Sequence, residues 1–271
     1  MFIDQKIAFV GSGNMAEAMI AGLIEQGLVT AEQIMAADIR PERGRELYDK
    51  YGVMTTTDNG EAVTGAAVVV MAVKPQYFAQ AAVGIRDVIP SASLVISIMA
   101  GTTIETVTGN LLHGAVVRSM PNTPAQVGQG MTMWTATDAV TDVQKAQATA
   151  VLTSFGKALY ADSEHYLDMA TAINGSGPGY VFLMLESMVD AGVKLGFPRQ
   201  VAAELVMQTV LGSVTYAQES GEHFAVLRNQ VTSPGGTTAA GLYALEKGGL
   251  RTVLADGIFA AYERSVELGK K

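Results

Sequence analysis

Phe9-Val10-Gly11-Ser12-Gly13-Asn14-Met15-Ala16 is the stretch that decides the fold. It has the form G-x-G-x-x-A, follows a short apolar run directly and opens a helical pattern. That context turns a weak motif into an informative one. Gly11 permits a tight turn and Gly13 lets the backbone approach a pyrophosphate. Ala16 allows close packing of helix on strand. The free N–H groups at the helix start are placed to receive phosphates, and Ser12, Asn14 and Met15 count with the two glycines as cofactor-binding candidates.

Outward from this motif, short apolar runs alternate with helical stretches. Strands are expected over 6–11, 34–37, 67–72, 94–98 and 115–119, with one more at 131–136. Helices are expected over 15–26, 41–51, 76–88, 103–110 and 142–155. Continuous apolar runs suit strands buried on both faces, and the alternation predicts an N-terminal Rossmann-type doubly wound sheet in an α/β fold over residues 1–162. Beyond about residue 162 the strand signal fades. Helical runs at 164–173, 178–196, 199–219, 222–229, 237–247 and 250–268 predict a C-terminal all-α domain over 163–271. Pro178 and Pro198 stand where helices begin, a position proline tolerates. Residues 180–195 are apolar on almost every side, so that helix needs cover all round. A partner subunit supplies it more easily than a small domain does.

Composition narrows the function. Of the 271 residues 49% are hydrophobic and 16% charged, against a usual charged share of about a quarter, which points to surface covered by another subunit. A net charge of −8 argues against a nucleic-acid partner. It also means that any anion site is local. With no cysteine, disulfides, thiolate catalysis and cysteine-held metals are ruled out, and no histidine–carboxylate pattern suggests another metal. No apolar run is long enough to span a membrane, and the first residues do not read as a signal peptide, so a cytoplasmic protein is expected.

At the end of the second expected strand, Asp38 would accept from a ribose 2′-hydroxyl and favour NADH. Arg40 would hold the 2′-phosphate of NADPH. Both are present, and the choice stays open; Asp38 also suits the cap of the helix that follows. Lys74 follows the third expected strand and could touch the cofactor. A hydroxyl-oxidising enzyme needs a base, yet His113, His165 and His223 lie beside neither the glycine motif nor a strand end and read as surface residues. Hydride transfer without a strong base suits a C=N bond, because an imine can arrive protonated. Two breaks in the helical half could hold a small acid. Residues 231–238, Val-Thr-Ser-Pro-Gly-Gly-Thr-Thr, stand before a helix with consecutive N–H groups and hydroxyls. Residues 174–180 form the second break; an ordinary helix–helix turn is the alternative for both, and the stronger one for 174–180.

Together these residues resemble the pyrroline-5-carboxylate reductases over nearly the full length. The likeness rests on Gly11-Ser12-Gly13-Asn14-Met15, Ala72-Val73-Lys74-Pro75-Gln76, Arg118-Ser119-Met120-Pro121-Asn122-Thr123-Pro124-Ala125, Gly175-Ser176-Gly177-Pro178 and, most specifically, the 231–238 segment. The resemblance implies hydride transfer from NADPH or NADH to the C=N carbon of a cyclic imino acid. It implies that Ser233, Gly235, Gly236, Thr237 and Thr238 bind the substrate, with the Thr238 hydroxyl nearest the ring nitrogen as the catalytic candidate. Glu164 matches a position near the substrate in some members. Asn59, Ala72, Val73, Lys74, Pro75, Met99, Ala100, Gly101 and Asn122 are implied to touch the cofactor. The resemblance further implies a homodimer with interlocked C-terminal domains, in some members a decamer of such dimers. Two departures stand out. Asn174 and Gly179 replace the family's frequent Ser and Ala around the break, and Asp38 replaces its frequent Ser or Asn.

Two other readings compete. The β-hydroxyacid dehydrogenase group, with its imine-reductase relatives, carries in its hydroxyacid members a catalytic Lys early in the first long helix. Here no Lys occurs in that helix before Lys194. A non-catalytic nucleotide sensor would not need the 231–238 loop.

Overall fold

The computed structural model describes Phe2 and residues 4–269. Eight strands form one sheet in the order β3-β2-β1-β4-β5-β6-β7-β8. These are β1 (Lys6–Val10), β2 (Ile34–Ala37), β3 (Met54–Thr56), β4 (Ala66–Met71), β5 (Leu94–Ser97), β6 (Val116–Met120), β7 (Gly130–Ala136) and β8 (Gly156–Tyr160). All neighbours run parallel except β6 and β7.

Side chains of a strand point alternately to its two faces, so the apolar runs of β1 and β4 build two cores. Ile7, Phe9, Val68 and Val70 pack on one face; Ala8, Val10, Val69 and Met71 pack on the other. The first face is closed by Met19, Ile20 and Leu23 of α1 (Asn14–Glu25), by Leu47 of α2 (Pro41–Tyr51) and by Val151 and Leu152 of α6 (Asp142–Thr153). The second is closed by Val63 of α3 (Asn59–Val63), by Phe78, Ala82 and Ile85 of α4 (Phe78–Ile85), and by Val107 and Leu111 of α5 (Ile104–Leu111). This is the doubly wound sheet expected from the alternation. The strand order reverses between β1 and β4, and in such sheets ligands bind outside the carboxyl ends of the strands at that point.

Two strands and one short α-helix went unread in the sequence. β3 has three residues, and α3 has five, started by the Asp58 carboxylate, which accepts from the N–H groups of Gly60 and Glu61. β8 follows α6 directly. It forms because Gly156, at φ +153°, lets the chain lie against Gly130 of β7, whose N–H donates to the Phe155 carbonyl at 3.0 Å. One expectation is corrected outright. His113 is buried, not on the surface, with Nε2 2.7 Å from the Ser93 carbonyl, where it ties the end of α5 to the turn before β5.

The remaining helices are α7 (His165–Ala170), continued by a π-helical turn at Thr171–Gly175, then α8 (Gly177–Lys194), α9 (Arg199–Ser220), α10 (Phe224–Gln230), α11 (Thr237–Lys247) and α12 (Leu250–Gly269). The chain forms two compact units, Met1–Pro178 with Ala261–Lys271, and Gly179–Ala260. The division falls later than the change of pattern at 162. The reason is that Leu167, Ala170 and Ala172 are buried, and Arg118 of β6 binds Glu164 and Asp168, so this helical stretch belongs with the sheet. In the second unit α8 buries no residue; Phe182 and Leu183 are among several large apolar side chains left exposed. Among the described residues no helix is long and apolar enough to cross a membrane.

Candidate active site

A cleft of about 650 Å³ opens beside the glycine-rich turn in the first unit. Gly11, Ser12 and Gly13 form one wall, with Asp38, Ile39 and Arg40 after β2. Asn59 and Ala72, Val73 and Lys74 after β4 form the next. Tyr77, Gln80, Ala81 and Gly84 complete it. A Cβ on Gly11, which has φ +91°, would lie 2.8 Å from the Ala72–Val73 peptide, so only glycine allows this approach. A Cβ on Gly13 would meet nothing within 4 Å, which leaves the backbone bare toward the cleft. Gly13 caps α1 without a side-chain bond, and the first helical bond runs from the Glu17 N–H to the Gly13 carbonyl. The N–H groups before Glu17 therefore have no partner within the helix. A bare backbone, unpaired N–H donors and the cations Arg40 and Lys74 suit a dinucleotide pyrophosphate.

Asp38 is held in place from two sides. Its Oδ2 accepts the Ser12 N–H at 3.2 Å, and its Oδ1 accepts from the N–H and Nε of Arg40, both at 3.1 Å. Burial alone would push this carboxyl up, but the hydrogen bonds from Arg40 and Ser12 outweigh it and hold its pKa below the usual value. Asp38 is thus a carboxylate at neutral pH. The Arg40 side chain is 63% exposed and folds back over it.

Other residues singled out in the sequence lie outside the cleft wall, namely Asn14, Met15, Pro75, Met99, Ala100, Gly101 and Asn122. Met99 is buried just past β5, and Gly101 turns there at φ +69° with Leu268 behind it. Asn122 uses its amide to build the fold: Oδ1 accepts the Met131 N–H at 2.9 Å and Nδ2 donates to the Asn174 carbonyl at 3.0 Å. Asn174 replies through its own Nδ2, which donates to the carbonyls of Met120 and Met131. Glu164 accepts with Oε1 from Arg118, at 2.6 Å, and from the Ile104 N–H, at 2.7 Å. Arg118 is 4% exposed and also reaches Asp168, which takes the Ser265 hydroxyl.

In the second unit the 231–238 segment makes the turn before α11. Gly235 has φ +70°, the Gly236 N–H donates to the Ser233 carbonyl at 3.0 Å, and a Cβ on Gly236 would strike the Ser233 hydroxyl. The first bond of α11 is from Ala240 N–H to the Gly236 carbonyl, so the N–H groups of Thr237, Thr238 and Ala239 stand free. Thr232 spends its hydroxyl on the Arg228 carbonyl; among the described residues those of Ser233, Thr237 and Thr238 bond to nothing.

A glycine-rich turn at the switch point of a doubly wound sheet, with an acid at the end of β2, defines a dinucleotide-binding domain. Comparison with known proteins narrows this. The family profile described as pyrroline-5-carboxylate reductase dimerisation matches residues 164–268, and that described as NADP oxidoreductase coenzyme F420-dependent matches residues 6–101. The pyrroline-5-carboxylate reductase of Synechocystis is 40% identical over 98% of this chain and 99% of its own. A solved pyrroline-5-carboxylate reductase from Coxiella burnetii superposes with a TM-score of 0.92 at 35% identity, covering 98% of this chain and 99% of its own. The Plasmodium falciparum pyrroline carboxylate reductase, solved with NADP bound, gives 0.88 at 31% identity, covering 98% of each chain. The chain belongs to the pyrroline-5-carboxylate reductase family.

Proposed function

We propose that this enzyme reduces 1-pyrroline-5-carboxylate to L-proline with NADPH or NADH, in the cytoplasm. The observation that carries the reading is the 231–238 turn in a chain of this family. Its free N–H groups and unbonded hydroxyls offer a small carboxylate several donors at the positive end of α11. In this reading the backbone at Gly235, Gly236 and Thr237, with the Ser233 hydroxyl, holds the carboxylate, and the Thr238 hydroxyl meets the ring nitrogen. Glu164 uses Oε1 for Arg118 and Ile104, and its assignment to the substrate rests on the family resemblance.

The cofactor assignments rest on the cleft together with the family resemblance. Gly11, Ser12, Gly13, Asn14 and Met15 cradle the pyrophosphate, and Asp38 and Arg40 meet the adenosine ribose. Asn59, Ala72, Val73 and Lys74 line the far side, and Pro75 follows them directly. Met99, Ala100, Gly101 and Asn122 are assigned to the cofactor by the resemblance alone. Bound coenzyme supplies the hydride that goes to the C=N carbon. The imine nitrogen carries its proton on arrival, so transfer yields the neutral amine without a base from the protein, and none of the three histidines lines the cleft. The chain's part is to position the partners and exclude water.

The enzyme is a homo-oligomer in this reading, a dimer interlocked through the second unit and capable of building a decamer. Support comes from the apolar surface of α8, α9 and α12, where Phe182, Leu211 and Phe259 are each more than 60% exposed in the single chain. The test is steady-state consumption of NADH and NADPH. Turnover is expected with 1-pyrroline-5-carboxylate and not with 3-hydroxy acids. The opposite pattern would place the enzyme among hydroxyacid dehydrogenases.

A further inference from the structure

The peptide that joins Ser12 to Gly13 is gripped from outside the motif. Arg43, in the first turn of α2, donates from Nε to the Ser12 carbonyl at 2.6 Å. Its other two nitrogens are anchored: one pairs with Glu17 of α1, the other donates to Glu46 at 2.9 Å. Glu17 is in turn fixed by Lys50 at 2.8 Å and by the Tyr51 hydroxyl at 3.1 Å. Burial pushes the Glu17 carboxyl up, but the bonds from Lys50, Arg43 and Tyr51 win and hold it at about 2. The Arg43 side chain is 13% exposed, so this guanidinium belongs to the interior of the turn and is not a free surface charge.

A trans peptide carries its C=O and N–H on opposite sides. With the Ser12 carbonyl drawn to Arg43, the Gly13 N–H must point the other way. Gly13 lines the cleft, and no protein acceptor takes its N–H among the described residues. A rotation of this one peptide would exchange the donor for a carbonyl oxygen facing the phosphates. Glycine at position 13 makes such rotation easy, since the flip changes only ψ of Ser12 and φ of Gly13, and glycine populates both halves of backbone space. The sequence G-x-G alone therefore leaves the orientation open, and something outside it must set it.

We infer that Arg43 is a positioning residue, which holds the Ser12 carbonyl outward so that the Gly13 N–H stays aimed at the dinucleotide pyrophosphate. The inference rests on the nucleotide reading of the cleft and deepens it; it does not depend on which substrate is reduced. Arg43 does not line the cleft. It acts by keeping the binding-competent peptide populated. If its loss leaves that state about one-tenth populated, apparent affinity falls about tenfold, because apparent Kd scales inversely with the competent fraction.

The experiment measures Kd for ADP-ribose, which contains the pyrophosphate, and for adenosine, which lacks it. Both are titrated by competition against NADH on the full-length protein. Arg43→Gln should weaken ADP-ribose about tenfold and leave adenosine within about twofold. The KM for coenzyme should rise while kcat holds. Arg43→Lys keeps the charge on Glu17 but lacks the second arm of the fork, so it should show the same loss and covers the case in which Arg43→Gln does not fold. Glu46→Gln, at an exposed partner, should change neither ligand. Unchanged ADP-ribose binding in both Arg43 variants would overturn the inference, as would an equal loss for adenosine. Failure to reduce 1-pyrroline-5-carboxylate would leave this binding test standing.

Discussion

Glu164→Ala separates two roles that meet in one side chain. The carboxylate serves Arg118, buried in β6, and the first N–H of α5 at Ile104. Removing it deletes one charge-assisted bond, worth about 1.5–3 kcal/mol, and leaves the Ile104 N–H to water at a cost of about 0.5–1 kcal/mol. Arg118 keeps Asp168, so its charge is not stranded. Glu164 is about a third exposed, which argues for the lower half of that range. The expected loss is about 2–3 kcal/mol. For a unit of this size about 2–4 °C accompany each kcal/mol, so Tm should fall by about 4–12 °C at fixed protein concentration, followed by circular dichroism. Glu164→Gln keeps an acceptor for Ile104 and a neutral bond to Arg118, and should recover about half the loss. An unchanged Tm for Glu164→Ala, with only the KM for 1-pyrroline-5-carboxylate raised, would refute the structural role and leave Glu164 acting on the substrate alone.

Thr238→Ala should lower kcat/KM about 10- to 150-fold, since it removes one hydrogen bond of about 1.5–3 kcal/mol in a closed site, while the Kd for coenzyme holds; full activity, or lost coenzyme binding, would misplace the substrate. Asp38→Ser removes the charge that repels a 2′-phosphate and should move the kcat/KM ratio toward NADPH by on the order of tenfold, one charge pair near the surface being worth that much. Because Ser12 loses its acceptor, both coenzymes should also weaken somewhat; an unchanged ratio would mean that Asp38 does not face the ribose. The protein at micromolar concentration should have at least twice the chain mass in solution, and a folded monomer would contradict the reading of the exposed α8 surface.

The glycine motif was legible because its meaning is local: strand, turn and helix start lie within eight residues. The Val, Ile, Leu and Ala runs of β1, β4 and β5 were legible because burial on both faces leaves no room for polar residues. β3 and β8 were not, since three residues, or Gly-Lys-Ala-Leu-Tyr after a helix, carry too little pattern to register. His113 read as surface because nothing local shows that it packs beneath the Ser93 turn. In the site, the near wall was visible as motif and strand ends. Tyr77, Gln80, Ala81 and Gly84 were not, because they line the cleft only through the packing of α4 and the turn before it on the sheet. The Arg43–Glu17 pair, 26 residues apart, and Arg118 with Glu164 and Asp168 have no sequence signature at all. Asn122 was read toward the cofactor, but its amide holds the backbone of Asn174 and Met131; only the fold shows where both ends of that amide go.

The most direct test of the account follows the hydride. The protein would be given 1-pyrroline-5-carboxylate and NADH or NADPH carrying deuterium at the transferred position of C4, and the product examined by mass spectrometry and NMR. The account predicts one deuterium per molecule of L-proline, at the ring carbon that was double-bonded to nitrogen, with none exchanged into water. Proline formed without label, or coenzyme oxidised with no proline made, would contradict it.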